Sequence, residues 1–337
     1  MKWSSRQYLI AFNMVPGIGG RRLQALQKYF GSLEQAWSAT EGELLAVGGI
    51  GPKTVKMFLG TRPTICPWQE ENWARLRDAQ IVTIEDEGYP DHLRRLQVPP
   101  PVLYVRGSLP TEPGVAVVGT RRPSRFGIAQ AREFTRHLAL QGEVVVSGLA
   151  RGIDYFAHET TLQSGGKTVA VLGSNLANLY PGEHRGLVER IVETGAVVSE
   201  FSSRCSTVPG NFPRRNRIIA GLSKGVLVVQ AGAKSGALGT SDWALELGLD
   251  VWAIPGEISD PLRVGTNNLI KQGAHLVTSP EDLGLDMIPG DESRSTVSQL
   301  YKEGLHVNEI AIALERPVAE VMAEISLLQI EGIKDRP

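Results

Sequence analysis

The sequence has 337 residues, 42% of them hydrophobic and 21% charged, with a formal net charge of −1. That length supports two or three domains with at least one sizeable core, and the near-neutral balance excludes a global field that would draw the chain onto nucleic acid or an anionic membrane. No apolar run approaches the ~18 residues of a membrane span. Two cysteines, Cys66 and Cys205, supply neither a disulfide framework nor metal-ligand spacing, and the chain reads as cytoplasmic. Any anion site must therefore be local. Residues 1–60 carry seven Lys/Arg against three acids, residues 200–240 six against Glu200 alone, and residues 295–337 four against seven.

Residues 1–62 contain a weak internal repeat, "VPGIGGRRLQALQKYF" at 15–30 and "VGGIGPKTVKMFL" at 47–59. Each places a Gly-Ile-Gly turn before cations and apolar residues at helical spacing, the pattern of a helix-hairpin-helix. Two readings stay open. Such turns present backbone N–H groups to phosphate at a helix start, or the glycines simply let short helices pack closely. Residues 63–100, with clustered prolines, read as a connector holding one helix around 68–79.

From residue 101 short apolar runs alternate with amphipathic stretches. The runs are "VAVVG" (115–119), "EVVVSG" (143–148), "KTVAVLG" (167–173), "AVVSE" (196–200), "GVLVVQ" (225–230) and "DVWAIPG" (250–256). Between them, helical spacing covers 126–141, 152–164, 183–194, 214–222 and 240–248. Continuous apolar strands have both faces covered, which predicts a doubly wound, mostly parallel α/β sheet over 101–285. A polar linker at 286–294 precedes a short segment, 295–337. There a helix, a turn at Glu315-Arg316-Pro317, a second helix and a short strand-like end have the form of a winged helix, with an acidic balance that argues against tight DNA backbone contact.

Ligands of such sheets bind outside the carboxyl ends of the strands. Those ends carry Gly119-Thr120-Arg121-Arg122, the turn Ser147-Gly148-Leu149-Ala150-Arg151, and Gly173-Ser174-Asn175. Flanking the fifth run are a loop from Phe212 to Arg217 and the loop Lys234-Ser235-Gly236; Asn267 opens a late helix. Small residues, hydroxyls and guanidinium groups dominate and carboxylates are scarce, a composition suited to phosphate. His158, four residues after Asp154, reads as a local helix-side pair. "GGKT" at 165–168 is not a phosphate-binding P-loop, because Thr161 stands where glycine is required and a strand follows.

The runs "VVSGLARGIDYFAH", "VAVLG", "SEF", "FPRRNRIIAGLSKGVLVV", "SGALGT" and "GTNNLI" resemble the DNA-processing protein A family (DprA, also called Smf) over roughly residues 101–283. The resemblance implies an extended Rossmann-like doubly wound sheet. It also implies an N-terminal helical domain of helix-hairpin-helix or SAM-like type and a small C-terminal winged-helix-like domain. The implied function is sequence-independent binding of single-stranded DNA and loading of the RecA recombinase during natural transformation. The implied assembly is a homodimer through the Rossmann-like domain, with no enzymatic activity, cofactor, metal or membrane partner. Carried onto this chain, the DNA site would comprise Gly119, Thr120, Arg121, Ser147, Gly148, Leu149, Arg151, Phe212, Arg214, Arg215, Asn216, Arg217, Lys234, Ser235, Gly236 and Asn267. Arg121, Arg214, Arg215 and Lys234 would take phosphates. Phe212 would either stack on a base or anchor its loop in the core, and Arg217 would contact DNA or pair with Asp154 or Glu200. After Tyr180-Pro181, where many relatives have a cation and later Asn, stand Gly182, Glu183 and His184, and Glu183 would repel a phosphate.

The rival is a nucleotide-processing, phosphoribohydrolase-like enzyme on the same Rossmann variant. Its signature glutamate is replaced here: "SGALGTSDW" puts Trp243 at that position, with Asp242 one place early. The dimer surface is expected late in the sheet region, around Leu238, Trp243 and Leu247.

Overall fold

The computed structural model describes residues 3–285, 297, 300–301, 304–314 and 316–330. These fall into two compact units, Met1–Leu283 and Gly284–Pro337.

The first unit begins with six helices: α1 (Ser5–Asn13), α2 (Gly20–Phe30), α3 (Leu33–Ser38), α4 (Glu41–Leu45), α5 (Pro52–Thr61) and α6 (Pro67–Arg75). Their apolar faces converge on a core in which Phe12 stacks on Phe58, ring centroids 5.5 Å apart, with Trp37 edge-on to both. Both repeats fold alike. Gly17 (φ 86°) and Gly49 (φ 82°) take left-handed turns that only glycine adopts freely, and α2 and α5 start at once behind them. The Arg22 guanidinium joins the two turns, donating to Gly17 O at 2.5 Å and Gly49 O at 3.2 Å.

The proline-rich stretch holds more structure than a connector. The predicted helix is α6, which stops short because Asp78 turns the chain at φ 52° into β1 (Ala79–Thr83). That strand pairs antiparallel with β2 (Val102–Gly107), and β2 antiparallel with β6 (Ala196–Ser199). Ile81, Val102 and Tyr104 of this ribbon lie in the helical core, so helices and sheet share buried surface.

The six strands anticipated from the apolar runs are present: β3 (Gly114–Val118), β4 (Val145–Ser147), β5 (Thr168–Val171), β6, β7 (Ser223–Val228) and β8 (Asp250–Ala253), with a two-residue β9 (His275–Leu276). The order is β1-β2-β6-β5-β4-β3-β7-β8-β9, parallel from β6 to β9. The chain therefore winds outward from β3 in one direction, then restarts beside it with β7. Helices α7 (Arg125–Leu140), α8 (Ile153–Gln163), α9 (Arg185–Thr194), α10 (Asn211–Gly221), α11 (Leu238–Glu246) and α12 (Val264–Lys271) connect the strands. In α7, Ala131, Phe134 and Leu138 are buried, the three- and four-residue spacing of a core-facing stripe. The residues read as a loop before β7 are instead the first turns of α10. Thr168 opens β5, so "GGKT" enters a strand as anticipated. Leu238, Trp243 and Leu247 are only partly exposed and pack against the sheet core.

The second unit contains α13 (Val307–Ala313) and α14 (Val318–Ile330), packed around Val297, Ile310, Ala311, Val321 and Ile325. Arg316 caps the turn between them with an ion pair to Glu324 at 3.0 Å. The strand-like end expected after these helices lies outside the described residues. No described helix is long and apolar enough to cross a membrane.

Candidate functional site

The winding reverses between β3 and β7, where neighbouring loops diverge and leave a crevice at the strands' carboxyl ends. A cavity of about 750 Å³ occupies that position. Gly119, Thr120, Arg121 and Arg122 line it from the end of β3, and Gly232 with Lys234 through Ala237 from the loop after β7. Phe212, Arg215, Asn216 and Ile219 of α10 complete the wall, at spacings of three and four residues that place one helix face toward the opening. A small adjoining recess of about 20 Å³ is bounded by Gly148, Ala150, Arg151, Tyr180 and Pro181.

Three lining cations are exposed: Arg121, Arg122 and Lys234. Arg121 lies over the Phe212 ring at 5.6 Å, and Tyr180 packs against the same ring with centroids 5.4 Å apart. Phe212 is half-buried against Gly173, so it is both anchored below and open to the cavity above. The two readings of Phe212 are compatible.

Arg215 differs from the sequence expectation. It is buried, and its guanidinium donates to Gly148 O at 2.6 Å and to Val171 O. Burial, with Arg121 nearby, pulls its pKa down to about 10, while the Asp154 carboxylate supports the cation. Asp154 accepts from the Gly148 and Ala150 N–H groups at 3.2 and 3.3 Å, and burial raises its pKa. This pair holds the Gly148–Ala150 turn under the cavity. A side chain at position 148 would overlap the Arg215 guanidinium, and at position 152 (φ 81°) one would run into Thr120 O. Arg215 thus contributes charge to the cavity floor without offering a free fork to a phosphate.

Arg214 and Arg217 lie on the opposite side of α10. Both donate to Glu200 Oε2, at 2.8 and 2.6 Å, and neither lines the cavity. Arg214 also rests over Phe201 at 5.6 Å and beside Gly19 of the first glycine turn. Arg214 and Arg215, both expected to take phosphates, are separated by helical geometry, which sends adjacent side chains about 100° apart. For Arg217 the partner is Glu200.

The remaining sequence-derived residues divide similarly. The Asn216 amide donates to Gly236 O at 3.0 Å and latches the loop after β7 to α10. Ser147 is buried and donates to Val117 O, and Leu149 is buried with φ 56°. Asn267 exchanges two hydrogen bonds with the Gly256 backbone and is absent from the cavity lining. Arg151 is exposed but pairs with Glu183 at 2.5 Å, so Glu183 neutralises a neighbouring cation. His158 pairs with Thr168 Oγ1 at 2.7 Å rather than with Asp154.

Sequence reasoning missed Tyr180 as an aromatic wall. Its signal was an aromatic residue in the loop after a strand, directly before Pro181. It also named Arg122 in the loop after the first strand but left it out of the DNA site.

Fold and site together define a doubly wound α/β protein with a cationic, aromatic-lined cavity at its switch point. Residues 80–287 match the family described as DNA recombination-mediator protein A, and the chain belongs to this DprA/Smf family. It is 39% identical to Protein Smf of Synechocystis over 286 residues, covering 83% of this chain and 72% of that protein. It is 39% identical to Protein Smf of Escherichia coli over 284 residues, covering 77% and 76%. The crystal structure of DprA from Streptococcus pneumoniae superposes with a TM-score of 0.70 at 33% identity, covering 86% of this chain and 99% of that one. DprA from Helicobacter pylori, described for its unique single-stranded DNA binding mode, superposes with a TM-score of 0.55 at 30% identity, covering 60% and 94%.

Proposed function

We propose that this chain binds single-stranded DNA without sequence preference in the switch-point cavity and delivers it to the RecA recombinase. The observation that carries the reading is the cavity wall itself: exposed Arg121, Arg122 and Lys234 beside the half-buried Phe212 and the exposed Tyr180. Cations tracking a backbone and aromatic faces for bases constitute a sequence-tolerant way to hold a single strand. The binding mode described for the Helicobacter pylori relative supports it.

In this reading Arg121 and Lys234 contact phosphates, Phe212 stacks on a base, and Gly119, Thr120, Ser235 and Gly236 let the backbone approach. Gly148, Arg215 and Asn216 hold the cavity's shape, and Arg214, Arg217, Ser147, Leu149 and Asn267 act only through the framework. The N-terminal helices form a helix-hairpin-helix or SAM-like domain over 1–62, and the Rossmann-like domain over 101–285 takes in β1 of the intervening 63–100 stretch. The described helices beyond residue 295 belong to a winged-helix-like domain, and two copies associate through the Rossmann-like domain. The role is binding rather than catalysis: Asp154, the one carboxylate among the described lining residues, accepts from two backbone N–H groups in the field of the Arg215 guanidinium.

The test is binding of a labelled thymidine oligomer across a salt series. Wild-type affinity falls steeply with salt, and Arg121→Ala combined with Lys234→Ala lowers the slope by about 1.4, from ~0.7 per phosphate contact on a single strand. An unchanged slope overturns the assignment. Release of a free base from a nucleoside monophosphate would overturn the non-enzymatic reading.

A further inference from the structure

The loop after β3 does not end at the cavity. It continues as Arg122-Pro123-Ser124-Arg125-Phe126 into the first turn of α7. Phe126 is 78% exposed, among the most exposed large apolar side chains of the described residues. Arg122 and Arg125 are exposed beside it in sequence, and among the described residues no hydrogen bond or ion pair engages either guanidinium. An aromatic ring left in water just after two unpaired cations contributes nothing to the core.

The placement is also fixed. The Ser124 N–H donates to Gln230 Oε1 at 2.9 Å, and Gln230 Nε2 donates to Ser124 Oγ at 3.0 Å. Ser124 Oγ in turn accepts from the Gly127 N–H. Gln230 lies two residues beyond the end of β7 and precedes the loop that forms the opposite cavity wall. Both sides of the opening and the Phe126 turn are therefore tied to one side chain. Four chain bonds from cavity-lining Arg122, the Phe126 Cα lies no more than about 14 Å away, a span of one or two nucleotides.

We infer that Phe126, which directly follows Arg125 and lies four residues after Arg122, is a second base-stacking platform, taking a nucleotide of a single strand as it leaves the cavity. The occupant follows from charge complementarity and from continuity with the cavity wall: unpaired guanidinium groups for phosphates and an open ring face for a base. This rests on the cavity being the single-strand site, and it extends that site outward along the start of α7.

The test compares thymidine oligomers of about 20 nucleotides and of about 4, within the range of known single-strand site sizes, on the full chain. Phe126→Ala weakens binding of the longer oligomer by about 5- to 100-fold, the range measured for loss of one base–aromatic stack, with its salt slope unchanged. The short oligomer, held in the cavity alone, binds as before. Phe126→Tyr retains wild-type affinity, and Arg125→Ala lowers the salt slope for the longer oligomer by about 0.7. Because Phe126 is exposed, its truncation leaves the fold intact. Wild-type affinity of Phe126→Ala for the longer oligomer, when Arg121→Ala with Lys234→Ala has lost it, overturns the inference and leaves the cavity reading standing. Failure of the wild-type chain to bind either oligomer overturns both.

Discussion

Arg217 Nη2 lies 2.6 Å from Glu200 Oε2, with both side chains almost wholly buried, at 6% and 1% exposure. Arg214 shares the same oxygen at 2.8 Å from a side chain 43% exposed, while Glu200 Oε1 has no hydrogen-bond partner among the described residues. Removing the cation from a buried pair strands the other charge, which typically costs about 3–5 kcal/mol. Arg217→Ala is expected to destabilise the chain by that amount in urea unfolding, and Arg214→Ala by less than about 1 kcal/mol, since its cation is largely hydrated. Replacing both partners, Arg217→Leu with Glu200→Leu, should recover much of the loss. A double variant as unstable as Arg217→Ala would show that packing, not charge, holds α10 there.

His158 titrates in an unusual range because of burial. Thr168 Oγ1 donates to Val145 O at 2.7 Å, so it can only accept from His158 Nδ1, which places the proton on Nδ1 and leaves Nε2 bare. A second proton would put a charge into the core beside His184 and Arg215, and the pKa falls from 6.5 to about 3. Between those values the unfolded chain binds more protons than the folded one, so stability declines as pH drops through that window and is independent of this group above it. The slope is at most about 1.4 kcal/mol per pH unit. His158→Asn, which keeps a donor for Thr168, is expected to be less stable at pH 7 but to lose less on going to pH 5. Equal losses in both proteins would exclude His158 as the acid-sensitive group.

The parallel sheet was legible because its strands are buried on both faces and so read as unbroken apolar runs. The β1–β2 ribbon was not: Pro99, Pro100 and Pro101 abut β2, and proline clusters signal a connector. The site was legible by position, since carboxyl ends of strands can be found from strand order alone. Side-chain direction was not, because it depends on where α10 begins. Reading Phe212–Arg217 as a loop made Arg214 and Arg215 interchangeable. Beginning the helix at Asn211 puts Arg215 under Gly148 and Arg214 against Glu200. Pairings between distant segments, such as Gln230 with Ser124, have no local signature.

Arg22 joins the two glycine turns of the helical region through Gly17 O and Gly49 O. Hydrogen bonds from a charged donor contribute about 1.5–3 kcal/mol when well shielded, and less at this partly exposed site. Arg22→Ala is expected to loosen the turns locally. In hydrogen exchange, amides of Ile18 and Ile50, bonded to Val15 O and Val47 O, should exchange faster while those of β3 and β7 keep their protection. Loss of protection throughout the sheet would mean that the turns are a keystone of the whole unit.

Arg151 and Glu183 form an exposed pair at 2.5 Å beside the small recess. Its hydrogen bond to Arg151 lowers the Glu183 pKa, so the acid is ionised at neutral pH and Arg151 is neutralised where a strand would pass. Acidification frees Arg151 only below the ordinary carboxylate range, so substitution is the practical probe. Glu183→Gln removes the competing charge and is expected to tighten binding of a thymidine oligomer. Its salt slope should steepen by about 0.7 if Arg151 then takes one phosphate. Arg151→Ala in the Glu183→Gln background should return the slope to the wild-type value. If Glu183→Gln leaves both affinity and slope unchanged, Arg151 lies off the strand's path, and the track follows the Arg121–Phe126 side alone.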